Sequence, residues 1–374
     1  GLALLGLGVG AGAALLAAGP LVARFGSRPV VRVAGLALCA ALLGPGLAGS
    51  LPALALTLAL FGACAGLMDV AMNAHGSLVE RAYGRPVMAS FHGLWSVGGL
   101  LGAVTGGLAA SAGWSPARHF AVAGICLGVT VLAGTSWLLP SSFDRAVEAG
   151  APRPARRKVR SSWTPAPAGR SSMRGAHASG LQQPGVASVR RRYWTGPLVM
   201  LGVVGFSSFF GEGSAHDWSA VYLRDVLGTG PGMAAAGFAA FSLAMATVRF
   251  AGDRLSARFG PVRLVRASGL VAAGGFGLAL LADRPLAGVA GFALLGAGLA
   301  CVVPVTFSAA GHLQDGPAGV AISRVAAISY LATFAGPPLI GITADLVGLP
   351  LALGIPVVLA GVIAACARAV ATAA

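Results

Sequence analysis

Ala23-Arg24-Phe25-Gly26 recurs as Ala257-Arg258-Phe259-Gly260, an offset of 234 in a chain of 374 residues. At the same offset Gly62-Ala63 returns as Gly296-Ala297, Gly102 as Gly336 and Gly107 as Gly341. Any one short match is cheap in a chain so rich in Gly and Ala. One offset shared by four matches across three separate apolar runs is not, and it marks two copies of one unit.

The units are built for lipid. Hydrophobic residues make up 56% of the chain and charged ones only 10%, against about a quarter in a soluble domain. Apolar runs of about 20 residues, the length a helix needs to cross the hydrocarbon core, lie at about 1–22, 31–50, 52–78, 87–112 and 118–139 in the first half. The second half has them at about 195–223, 233–256, 263–282, 286–310, 318–346 and 350–370. The abundant glycine suits helices packed closely in lipid. The first run lacks a charged leader and a cleavage site, so it does not read as a signal peptide.

Cysteines 39, 64, 126, 301 and 366 stand singly in apolar runs, which suggests neither disulfides nor zinc. The formal charge of +15 is concentrated between Arg145 and Arg192, a stretch rich in Pro, Ser and Gly that also holds the single lysine, Lys158. Such a composition reads as a disordered linker rather than a nucleic-acid surface. With no other lysine, a G-x-x-x-x-G-K-[ST] nucleotide loop is excluded.

Basic residues mark the cytoplasmic side. Arg24, Arg28, Arg32, Arg81, Arg85, the linker, Arg254, Arg258, Arg263 and Arg266 all fall on one side, while the opposite connections hold only Arg118, Arg224 and Arg284. The chain therefore divides into a helical bundle over 1–139, a basic cytoplasmic linker over 140–194 and a second bundle over 195–374. At the offset of 234, the run at 195–223 has no mate, since its mate would precede residue 1. Five spans plus six are present, and six plus six are expected, with the first helix of the first half missing.

Two six-helix bundles joined by a basic linker resemble the major facilitator superfamily. Its loop motif G-x-x-x-D-R-x-G-R-R is matched at Gly19, Arg24, Gly26 and Arg28, with Ala23 in place of the aspartate. The second half keeps Gly252-Asp253-Arg254 and Arg258-Phe259-Gly260 in the equivalent connection. Gly98, Gly102, Gly106 and Gly107 are similar to the antiporter motif G-x-x-x-G-P-x-x-G-G, with Ala103 in place of its proline. The stretches 68–73 and 91–96 resemble a bacterial subgroup. The resemblance implies an all-α, multi-pass transporter of the bacterial plasma membrane. It would work as a monomer without cofactor or nucleic acid and move a small organic solute; coupling to protons is a hypothesis that rests on the carboxylates Asp69 and Glu212. The alternative is a transport-inactive sensor or scaffold whose basic linker binds a partner or lipid.

A charge at the bilayer centre costs at least about 2.5–3.5 kcal/mol and normally faces a partner or a wet cavity. Asp69 and Asn73 share a helix face one turn apart, as a substrate or proton site or as an interhelical hydrogen bond. His92, Trp95 and Ser96 open the fourth span on one side and are cavity candidates. Glu212, between Gly211 and Gly213, is the strongest candidate, in a helix those glycines are expected to weaken. His216, Asp217 and Trp218 follow toward the outer surface. Arg249 and Asp253 are spaced for an i,i+4 pair, and Arg249 and Arg324 either neutralise an anionic solute or lock the cytoplasmic gate. Arg24, Arg28 and Arg258 join them as gating candidates. Pro304 and Pro337-Pro338 are expected to kink or break their helices.

Overall fold

The computed structural model describes residues 2–144, 194–313 and 317–373. Most of the linker expected over 140–194 lies outside them. Among the described residues, all regular structure is helical. One bundle holds α1 (Leu2–Phe25), α2 (Ser27–Ala41) with its short continuation α3 (Leu43–Leu47), α4 (Leu51–Tyr83), α5 (Met88–Ser111) and α6 (Pro116–Ser136). The other holds α7 (Gly196–Val221), α8 (Pro231–Phe259), α9 (Pro261–Ala282), α10 (Pro285–Leu299) and α11 (Val302–His312). It closes with α12 (Ala318–Val347), α13 (Leu349–Ala352) and α14 (Gly354–Ala365). Among the described residues ten spans are long and apolar enough to cross a membrane, counting α2–α3 and α10–α11 as one each. The eleventh expected span is the shorter apolar helix Leu349–Ala365.

Helix boundaries keep the offset read from the sequence. α1 ends at Phe25 and α8 at Phe259, α2 opens at Ser27 and α9 at Pro261, and α4 opens at Leu51 and α10 at Pro285. Between the first pairs stands one residue, Gly26 or Gly260, at φ 84° and 78°. Only glycine takes that region without a steric cost, so each turn reverses the chain in a single residue.

The two bundles differ at α7. A Cβ on Gly336 would meet Phe210 at 3.8 Å, and one on Gly341 would meet Trp218 at 3.6 Å, so α7 covers that face of α12. Their repeat mates Gly102 and Gly107 have nothing within 4 Å. α7 has no mate among the described residues, and the equivalent face of α5 is open.

The expectations about helix continuity meet different outcomes. α7 runs unbroken through Glu212, because Gly211 serves close packing: a Cβ there would lie 2.6 Å from Leu299. α12 likewise continues as one helix through Pro337 and Pro338. The ninth span does break, between Leu299 and Val302, and Pro304 falls in the first turn of α11 after the break. There proline removes no helical hydrogen bond, since first-turn N–H groups have no intrahelical partner.

Candidate functional site

Polar side chains meet where the bundles face each other. On α4, Asn73 Nδ2 donates to Asp69 Oδ1 (3.1 Å) and to the Asp69 carbonyl (2.9 Å), the one-turn spacing closing this local pair. Asp69 Oδ2 is buried and takes no hydrogen bond of normal geometry. Beside it stands the hydroxyl of Tyr330, on α12 of the opposite bundle. The Tyr330 ring is braced on Phe209 of α7, with centroids 5.0 Å apart.

The second cluster is centred on Arg249 of α8, which is 6% exposed. Its guanidinium donates to Ser96 Oγ of α5 across the bundle boundary (2.9 Å) and to the Ala300 carbonyl (3.3 Å). It also pairs with Glu212 Oε2 at 3.4 Å. The other Glu212 oxygen accepts from Ser208 Oγ one turn earlier (3.3 Å). His92 lies near the same arginine, its Nδ1 donating to the Met88 carbonyl at 3.1 Å and its ring 6.1 Å from Phe307. Three acceptors meet the buried guanidinium, the condition under which such a group is tolerated inside a protein.

The arginine-rich end is shut by two more carboxylates. Glu80 is 1% exposed. Its Oε1 accepts from the backbone N–H of Val87 (3.0 Å) and Met88 (3.1 Å), and its Oε2 takes the Ser308 hydroxyl of the other bundle at 2.5 Å. Asp253 of α8 reaches across to accept from the N–H groups of Ala89 (2.9 Å) and Ser90 (3.0 Å) and from the Ser90 hydroxyl. Four successive amides at the start of α5 thus meet two carboxylates, one from each bundle, where a helix favours negative charge. Arg81 adds a hydrogen bond to the Gly311 carbonyl.

Several expectations about individual residues change. Arg249 and Asp253 share a helix face but do not pair, because each finds its partner on α5 instead. Arg28 caps the end of α6, donating to the carbonyls of Thr135 (3.2 Å) and Ser136 (3.1 Å) within its own bundle. Arg24 and Arg258 stack over Phe25 and Phe259, facing outward. Arg324 lies over the Trp194 ring, 5.3 Å from its centroid. Trp95 is 68% exposed and stands apart from both clusters. His216 pairs with Asp217 at 2.8 Å on an exposed patch of α7. Glu80, Ser308 and Tyr330 were not among the sequence candidates. For Glu80 the signal was present, a carboxylate just past an apolar run, but α4 extends beyond the expected end of that span and carries it inside.

Two helical bundles with buried charge at their boundary define a membrane carrier. The chain belongs to the Major Facilitator Superfamily, whose model matches residues 1–315. An uncharacterized MFS-type transporter of Yersinia pestis is 34% identical over 372 residues, covering 99% of this chain and 86% of the relative. An uncharacterized transporter of Sinorhizobium fredii is 38% identical over 347 residues, 92% of this chain and 81% of its own. The fold is shared with FucP in its outward conformation, at a TM-score of 0.71 and 17% identity, over 98% of this chain and 89% of that one. It is also shared with XylE, at 0.67 and 14%, over 97% and 84%. The protein is a multi-pass bacterial membrane transporter.

Proposed function

We propose that the protein is a secondary active transporter of a small polar organic solute, coupled to protons, whose two bundles rock about the site between them. The observation that carries this reading is the Arg249 guanidinium, held by Glu212 in its own bundle and by Ser96 in the other. Rocking must break the Ser96 bond, so the state of the Glu212–Arg249 pair weighs on the conformation. Asp69 supplies the second carboxylate, in its own bundle's α4 and beside the Tyr330 hydroxyl of the other bundle. Intramembrane carboxylates of this kind serve as proton relays in transporters. A hydroxyl-rich solute suits the site, since serine and tyrosine hydroxyls already stand against its charged groups. Two of the solved structures sharing the fold are a fucose:proton and a proton:xylose symporter, which supports the same choice.

The test is uptake by proteoliposomes of a labelled panel of sugars, polyols, organic acids and amino acids under an imposed pH gradient. Glu212→Gln and Asp69→Asn should each abolish gradient-driven accumulation of the transported solute. Accumulation that survives in both variants removes proton coupling at this site. A panel giving no transport and no thermal stabilisation would instead favour a sensor that has lost transport.

A further inference from the structure

The repeated motif that revealed the two units has no part in the site between the bundles. In both copies the arginine lies over the ring of the phenylalanine that follows it, Arg24 5.2 Å from the Phe25 centroid and Arg258 5.4 Å from that of Phe259. Neighbours in sequence do not normally face each other on a helix. Here the helix ends at the ring, and the positive-φ glycine turns the chain away. Phe25 is 51% exposed and Phe259 47%, and both arginines are exposed as well.

Neither guanidinium donates a hydrogen bond to a protein acceptor among the described residues, unlike Arg28, Arg81 and Arg249 at the same end. The described carboxylates at this end are turned inward. Glu80 and Asp253 cap α5, and Asp144 accepts from the Ser27 N–H at 3.2 Å. Outward, the exposed charges beside these corners among the described residues are arginines: Arg24 and Arg32 in one copy, Arg254, Arg258, Arg263 and Arg266 in the other. A half-exposed aromatic ring beneath an unsatisfied guanidinium, at the end of a membrane-spanning helix, matches the boundary between acyl chains and headgroups.

We propose that each Arg-Phe-Gly corner is a binding site for one anionic phospholipid of the cytoplasmic leaflet. The guanidinium fork takes the phosphate oxygens in the two-bond manner arginine favours, and the ring lies against the glycerol and upper acyl chain. The sign follows from the local charges: among the described residues the arginines outnumber the carboxylates at both corners, Asp144 standing beside Gly26 at the first and Asp253 tied to α5 at the second, and leaflet charge adds to the attraction.

The test counts retained lipid by native mass spectrometry. The purified full chain is loaded with phosphatidylglycerol, then exchanged into phosphatidylcholine micelles with a high-salt wash to strip loosely screened lipid. The parent should keep two phosphatidylglycerols, Arg24→Gln and Arg258→Gln one each, and the double variant none. Arg254→Gln, which removes an exposed arginine not stacked on the motif ring, should keep both. Unchanged retention in the double variant overturns the proposal. Equal loss in Arg254→Gln also overturns it, because the attraction would then be diffuse charge and not a site. The readout is independent of transport, so it stands or falls separately from the proposed activity.

Discussion

Two of the seams that join the bundles are related by the repeat. In one, α1 crosses α12 through small residues. A Cβ on Gly19 would come within 2.9 Å of Ser323 Cβ and Val320 Cα, and one on Gly319 within 2.8 Å of Val22. There Ser323 Oγ donates to the Leu15 carbonyl. In the other, α8 crosses α5 through Asp253 on the Ala89 and Ser90 amides and Arg249 on Ser96. At the offset of 234, Asp253 stands where the first seam has Gly19, and Arg249 where it has Leu15. Helices in lipid gain nothing from hydrophobic exclusion against each other, so packing and hydrogen bonds must hold them. One seam relies on the first and its mate on the second. Only the charged seam can answer to protons or a solute.

Four substitutions test that contrast by thermal melting in detergent, from the largest expected effect downward. Arg249→Met should be the most costly, by about 3–5 kcal/mol, because it strands the Glu212 carboxylate without its buried partner. Gly19→Leu should cost about 1–3 kcal/mol by overpacking the close crossing. A melting temperature unchanged by Gly19→Leu would mean that the α1–α12 crossing is looser than its geometry. Asp253→Asn should cost about 1–2 kcal/mol, since one oxygen still accepts while the new NH2 group faces a backbone N–H it cannot satisfy. If it melts with the parent, the carboxylate adds nothing and the two seams are alike. Ser323→Ala should show the smallest loss, about 0.5 kcal/mol, from one neutral hydrogen bond.

The sequence carried the fold because its evidence is local: apolar runs set the spans, arginine placement sets the sides, and the offset of 234 sets the symmetry. Asp69, Glu212 and Arg249 were equally visible, because a charge inside an apolar run stands out. Their partners were not. Ser96 and Arg249 lie 153 residues apart, and no spacing rule reaches from one bundle to another. The i,i+4 rule even misdirected Arg249, pairing it with Asp253 when both had better partners on α5. Tyr330 is one aromatic among the apolar residues of its run, and nothing but the fold places its hydroxyl against Asp69. Gly211 and Gly213 suggested a weak helix, whereas the close approach of Leu299 is what asks for a glycine at 211.

The most direct test of the account is whether the charged seam holds the arginine-rich end shut. In a background without native cysteines, spin labels at Tyr83→Cys and Arg263→Cys report the separation of the two bundles at that end by pulsed electron resonance. Both positions are exposed and outside the seams. The parent should give one short distance, and the double variant Glu80→Gln with Asp253→Asn a second, longer population at the expense of the first. An unchanged distance distribution in that variant would contradict the account, leaving the glycine crossing of α1 and α12 as the contact that closes the protein.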